Sequence, residues 1–447
     1  MIQRQNNRIL GTGLLIPGAI FCQRHFWSIA MNSVLCLVAI ILNADTANWP
    51  GFRGPDGTGA SASAKPPLSW NTSKGVFWKM SLPGPGSSSP IIYGDRVFVT
   101  CYTGTGSSLK RHLLCFDKIS GKQNWTADVP AVLPEDPYSG YITEHGYASS
   151  TPVTDGNAVY LFFGKSGVLA FAMDGKKLWQ TSVGTGSDIR RWGSSASPIL
   201  YKNLVIVNAA SESRAIVALD AKTGREVWKS EGDRLSLSFS TPALVEANGR
   251  TDLVVAMPEE VWGMNPETGK LRWTATIAAT GNVCPAVVPG EGIAYVTGGF
   301  QAKGTSAIKA GGKGDVTQSN VPWTARRSCY VPTPVLNANR LFMVTEDGIA
   351  ISMSSGKGEV LQEQRLSVPA IGGRGSRPFY ASPVVADGHI FAISRRAGVF
   401  VLKADDTLKQ IGLNPPLDDS DFNASPAMSG GLLLLRSNTF LYALGSP

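Results

Sequence analysis

Arginines, aromatic rings and a few acid–base groups cluster just ahead of a recurring Ser-Pro or Thr-Pro pair. Glu144, His145 and Tyr147 precede Thr151-Pro152, and Arg190, Arg191 and Trp192 precede Ser197-Pro198. Arg326 and Arg327 precede Thr333-Pro334, while Arg374, Arg377 and Tyr380 precede Ser382-Pro383. Asp421 and Asn423 precede Ser425-Pro426. Guanidinium groups that converge with aromatic rings hold an anionic or carboxylate-rich ligand through bidentate hydrogen bonds and stacking. Glu144 next to His145 is the pair suited to general acid–base work. A plainer reading stands beside each: arginines at loop bases pair with nearby acids, here Asp188, Glu231, Asp233 and Asp418, and a single loop histidine is solvated or structural.

Other chemistries are missing. The chain has no HExxH, no phosphate-binding Walker loop and no GxSxG, and only four histidines in 447 residues. Zinc hydrolase, nucleotide kinase and serine hydrolase readings therefore fall. The net charge is +8, but lysines and arginines are scattered without runs, which argues against a nucleic-acid partner.

The elements that position these groups repeat. With Cys284-Pro285 filling one gap, the prolines Pro90, Pro152, Pro198, Pro242, Pro285, Pro334, Pro383 and Pro426 lie 62, 46, 44, 43, 49, 49 and 43 residues apart. Each unit carries short apolar runs and then a Thr-Gly-Lys-like turn and a tryptophan, as in AIVALDAKTGREVW ending at Trp228 and VWGMNPETGKLRW ending at Trp273. The second unit divides into strands at about 149–153, 158–164, 167–173 and 176–183. Four strands in a repeat of 40–50 residues make a propeller blade. AVYLFFG and LLLLRS are apolar almost without alternation, so both faces of the sheet are covered, as between blades.

The eighth unit stops one strand short at Pro447, and residues 75–82, GVFWKMSL, supply the missing strand. The expectation is an all-β, eight-bladed propeller of four-stranded antiparallel blades, closed by that N-terminal strand, and monomeric. In such a blade the loop between the second and third strands shares a face with the link to the next blade. The first unit's extra length, residues 103–111 and 130–146, falls in those two places, so a ligand is expected there. The tryptophans are expected between blades.

Residues 28–42 form an uncharged apolar run preceded by arginines and followed by small residues, the order of a signal peptide. Residues 1–47 are read as a signal peptide or N-terminal anchor and 48–447 as one domain. An exported, periplasmic or extracellular protein follows, with membrane association through the leader as a further option. Of the six cysteines, Cys101 and Cys115 flank a loop and could pair across a hairpin; two small buried hydrophobes is the other reading.

LDAKTGREVW and NPETGKLRW resemble the repeat signature of the pyrroloquinoline-quinone-like (PQQ-like) propeller family, over about residues 48–445. NWPGFRGPDGTG, residues 48–59, resembles the opening of a group of secreted propellers with this repeat. The family includes quinoprotein alcohol dehydrogenases and an outer-membrane assembly lipoprotein that has the blades without a cofactor. For the dehydrogenases the resemblance implies PQQ held by calcium on the axis, an aspartate base and often a disulfide between adjacent cysteines. This chain has no adjacent cysteine pair and lacks the long inserted segments. Degenerate repeats, few catalytic residue types and insertions on one side lead to the expectation of a non-catalytic module that binds a protein segment, a glycan or another anionic ligand, with no cofactor. The alternative is a PQQ-dependent alcohol or sugar dehydrogenase, or a degenerate relative.

Overall fold

Proline has no N–H to give to a ladder, so a repeat that opens on proline places it where no neighbouring strand waits. In the computed structural model, which describes residues 48–368 and 377–447, each such proline lies just ahead of a blade's innermost strand, whose free edge faces the axis. The expected leader and Arg374 lie outside the described residues. Among the described residues, no helix is long and apolar enough to cross a membrane.

The described residues form eight sheets, each built on four antiparallel strands. Blades 1 to 8 span 91–130, 153–181, 199–231, 243–276, 288–325, 335–365, 384–414 and 427–445. In blade 8 the outermost strand is Val76–Ser81, antiparallel to Phe440–Gly445 with Trp78 opposite Ala443. The ring closes as the terminal sequences predict, and no blade edge is left incomplete at that joint. Apolar continuity is explained as well: every residue of Ala158–Phe162 and of Leu432–Arg436 is buried, because each strand has a blade on either side.

The Thr-Gly-Lys and tryptophan landmarks belong to one joint. The tryptophan of an outermost strand donates its indole N–H to a carbonyl in the turn of the following blade: Trp78 to Lys118, Trp125 to Met173, Trp179 to Ala221, Trp228 to Pro266 and Trp323 to Ser355, all at 2.9–3.0 Å. The ring lies on the glycine of that turn. At Gly224, φ is 72° and a Cβ would stand 2.5 Å from Trp179 Cδ2, so glycine is required twice over. Cys101, Cys115, Cys284 and Cys329 are free thiols. Cys101 stands opposite His112 and Cys115 opposite Phe98, so the two flanking thiols do not face each other in the ladder.

Residues 48–61 cross the end of the ring that carries the turns between first and second strands. Trp49 exchanges backbone hydrogen bonds of 2.8 Å with Ile92 of blade 1, and Ala60–Ser61 runs parallel to Val385–Ala386 of blade 7. Between them Phe52 forms part of the channel floor. The opposite end carries the insertions.

Candidate functional site

The Ser/Thr-Pro repeat builds the wall of the axial channel. The hydroxyl of one blade accepts the backbone N–H at the corresponding position of the blade before it. Thr151 accepts from Ser89, Ser197 from Thr151, Thr241 from Ser197, Thr333 from Ala286, Ser382 from Thr333 and Ser425 from Ser382, each at 2.9–3.0 Å. The girdle position of blade 5 is held by Ala286 and not, as the sequence spacing suggested, by Cys284, and with no hydroxyl there the girdle is interrupted between blades 4 and 5, where Ser240 Oγ donates to Pro285 O instead at 2.8 Å. The second interruption lies between blades 8 and 1, where Ser89 Oγ has no partner.

Above the girdle, the 130–146 insertion folds over the mouth. Tyr141 meets Trp192 edge-on at 4.5 Å, Trp192 lies 5.9 Å from Phe239, and Tyr330 bridges Tyr141 at 6.2 Å to Phe300 at 5.8 Å. Tyr141, Trp192, Phe239, Tyr330 and Tyr380 bound a cavity of about 150 Å³ whose walls also include the girdle hydroxyls, Glu144, His145 and Asn423.

The described arginines of the sequence reading, Arg190, Arg191, Arg326, Arg327 and Arg377, do not converge on this cavity, because each finds an acid, a ring face or water first. Arg190 lies over the outer face of Trp192, 4.8 Å from the ring centre, and Arg191 is exposed at the loop tip. Arg326 is exposed, and Arg327 pairs with Glu363 at 2.8 Å. Arg377 covers Tyr330 at 4.2 Å. Tyr147 turns away from the channel and donates to Asp136 O at 2.7 Å. Trp192, Tyr380, Asn423, Glu144 and His145 do line the cavity.

Arg395 organises the rim, and sequence reasoning missed it. It contacts Glu144 and Asp421 at 2.8 Å each, donates to Asn423 Oδ1 at 3.0 Å and lies over Tyr380. Arg396 holds the other oxygen of Asp421 at 2.5 Å. The signal was there, since Arg395 and Arg396 occupy the turn between second and third strands on the insertion face. Tyr141, Phe239, Tyr330 and Phe52 were missed too, lying in loops whose fold no periodicity reports.

His145 is not poised to move protons. Its Nε2 donates to Trp192 O at 3.0 Å and its Nδ1 pairs with Ser149 Oγ at 2.5 Å. Burial pushes the imidazole below its ordinary value, so it is neutral at pH 7.

Beside it lies a small buried polar chamber lined by Arg111, Glu135, Asp136, Lys165, Ser194 and Glu212. Arg111 pairs with Glu135 and Lys165 with Asp136, but Glu212 has only the Ser194 hydroxyl, and its Oε2 has no partner. Burial, reinforced by Glu135 and Asp136, pushes its carboxyl up to about 7 despite the Ser194 bond. The folded chain thus holds a proton that the unfolded chain releases near 4.5. That contribution is complete below the unfolded value and is lost as pH rises through 7. Glu212→Gln is expected to raise the melting temperature more at about pH 9 than at about pH 5; an equal shift at both would refute it.

The wall does not suit a tricarboxylate quinone with calcium. Among the described residues no arginine or lysine lines the cavity, and the one carboxylate among them, Glu144, is already paired with Arg395. Among the described residues, no three His, Cys, Asp or Glu side chains are grouped to hold a metal ion.

A family model described as outer membrane protein assembly factor BamB matches residues 43–197 and 188–364. The chain is 22% identical over 365 residues to the outer membrane protein assembly factor BamB of Burkholderia pseudomallei (strain K96243), covering 79% of this chain and 82% of that one. It is 25% identical over 251 residues to a polyvinylalcohol dehydrogenase of Sphingopyxis sp. (strain 113P3), covering 46% of this chain and only 36% of the enzyme. Among solved structures, BamB from Moraxella catarrhalis aligns with a TM-score of 0.56 at 14% identity, over 83% of this chain and 97% of that one. A europium-containing methanol dehydrogenase aligns with a TM-score of 0.64 at 11% identity, over 89% of this chain and 98% of that one. At these identities the structural likeness concerns the fold.

Proposed function

This chain belongs to the outer membrane protein assembly factor BamB family, and we propose that it acts outside the cytoplasm as a non-catalytic propeller that binds a segment of a partner protein across its insertion face. The observation that carries this reading is the apolar display on that face. Ile189 is 84% exposed, and Leu133, Tyr138 and Phe300 are 45–51% exposed, all on loops around the mouth. Large apolar side chains held outward on a rigid ring are costly to leave in water and are characteristic of a protein-binding surface. The acid–base groups nearby are meanwhile engaged elsewhere, His145 with the Trp192 carbonyl and Glu144 with Arg395, which supports binding over catalysis.

A photo-crosslinking residue placed at Ile189 or Leu133 in the producing cell is expected to give one discrete protein adduct. The same residue at Leu271, exposed on an outer strand, is expected to give none. Equal yields at all three positions would sink the reading. The similarity to polyvinylalcohol dehydrogenases favours a second reading, a quinone-dependent dehydrogenase, tested by adding PQQ with calcium and following absorbance and dye-coupled alcohol oxidation. Saturable binding with turnover would replace the first proposal.

A further inference from the structure

The channel wall holds donors without acceptors. The hydroxyls of Thr151, Ser197, Thr241, Thr333, Ser382 and Ser425 each spend a lone pair on a backbone N–H of the adjoining blade. Among the described residues, none of the six gives its own proton to a protein atom. Ser89 Oγ, on a residue 2% exposed in the same wall, has no partner of either kind. A hydroxyl whose oxygen is already accepting is available chiefly as a donor. Six such hydroxyls around one cavity, with the unpartnered Ser89 beside them, suit a ligand group rich in lone pairs.

Positive charge stands directly behind them. Arg53, 2% exposed, donates to Pro334 O, to Pro383 O at 3.3 Å and to Thr58 O at 2.8 Å. Pro334 and Pro383 are the residues after Thr333 and Ser382. Arg436, 1% exposed, donates from Nη1 to Ser88 O at 2.9 Å and Ser88 Oγ at 2.6 Å, on the residue before Ser89. These partners are all neutral oxygens, and Arg53 Nε, Arg436 Nε and Arg436 Nη2 have none. Burial pushes the two guanidinium groups down to about 9 and about 10, both still protonated at neutral pH. Buried charge without a counter-ion is costly, and an anion on the axis offsets that cost.

Phe52 lies below and the mouth aromatics above, with Glu144, His145 and Asn423 at the rim, and the space is about 150 Å³. We propose that the axial cavity binds a single carboxylate carried on an apolar or aromatic body, its oxygens within the hydroxyl girdle and its body between the mouth rings. This rests on the binding reading above and names the chemistry that the bound segment, or a small ligand beside it, presents. Glu144 does not oppose it, since its charge is matched by Arg395.

Calorimetric titration of the full chain with 3-phenylpropionate against 3-phenylpropionamide tests the proposal. The acid is expected to bind at least about tenfold more tightly, the value of one charge-assisted hydrogen bond. Ser89→Ala, which removes a hydroxyl bonded to no protein atom, is expected to keep the melting temperature and to weaken the acid several-fold without affecting the amide. Equal affinities for acid and amide, or no heat from either, would overturn the proposal. A short peptide ending in leucine, as free acid and as amide, separates the sources. Preference for the free-acid peptide assigns the site to a chain terminus, and binding of phenylpropionate alone assigns it to a small acid; both support the carboxylate. Crosslinking at Ile189 reads the partner independently, so either proposal can fail without the other.

Discussion

Asp252→Ala is expected to cost the fold about 3–5 kcal/mol, the usual result of removing one partner from a buried ionic network. Asp252 is fully buried and is the sole anion at a crowded joint. It accepts from Trp273 Nε1 at 2.7 Å, Arg272 Nη1 at 2.6 Å and the backbone N–H of Gly311 at 2.8 Å, with Arg250 Nε at 3.2 Å. Blade 4 is where the tryptophan joint departs from its pattern, since Trp273 donates within its own blade. Asp252 replaces the missing carbonyl and also pins the segment that follows Gly311, whose residues Gly314–Asp315 add a parallel strand beside Trp273–Thr274. Alanine leaves the buried Trp273 N–H and the Gly311 N–H without an acceptor and removes the counter-charge of Arg272 and Arg250. Asp252→Asn keeps one acceptor oxygen in place and is expected to lose less.

Burial alone would push the Asp252 carboxyl up, but the bonds from Trp273, Gly311 and Arg272 and the charge of Arg250 outweigh it and hold it below its ordinary value. A depressed carboxyl contributes stability that is full above its unfolded value near 3.8 and is lost as pH falls through the folded value. Urea unfolding at neutral pH measures the main effect; a loss under about 1 kcal/mol for the alanine variant would contradict the network account.

Trp179→Ala is the second large effect, expected at about 3–5 kcal/mol from lost packing and the void left behind. The indole is 9% exposed, lies 6.1 Å from the ring of Tyr160 and donates to Ala221 O at 2.9 Å across the joint between blades 2 and 3. Trp179→Phe keeps part of the contact and loses the hydrogen bond, so a deficit nearer 1–2 kcal/mol is expected. Amide exchange locates the damage. Faster exchange in blades 2 and 3 alone fits a joint that couples neighbours, whereas uniform loss around the ring would mean that closure transmits the defect.

The rim shows where sequence reading stops. Asp421 and Asn423 were identifiable because they stand a fixed distance ahead of a Ser-Pro pair, yet their partner Arg395 comes from a different turn of the neighbouring blade. Arg190 and Arg327 shared the same sequence setting as Trp192 and Tyr380, but only the rings line the cavity. A guanidinium on a long flexible stem goes to the nearest acid or to water, while a ring is held by the surfaces it covers.

The one-dimensional pattern determined what depends on local repetition: blade number, the four strands of each blade, closure by Val76–Ser81 and the side on which insertions gather. These follow from prolines, turn glycines and two-sided apolar strands, whose constraints act over a few residues and are copied eight times. The three-dimensional ring decided everything that depends on neighbours brought together from distant units. It turned the serines and threonines of the recurring Ser/Thr-Pro pair into an inter-blade girdle, put Arg53 and Arg436 behind it without acids, and placed Tyr141 over the mouth. Contacts between residues some 280 to 350 apart, such as Asn423 with Glu144 and Arg436 with Ser88, arise only when the circle is closed.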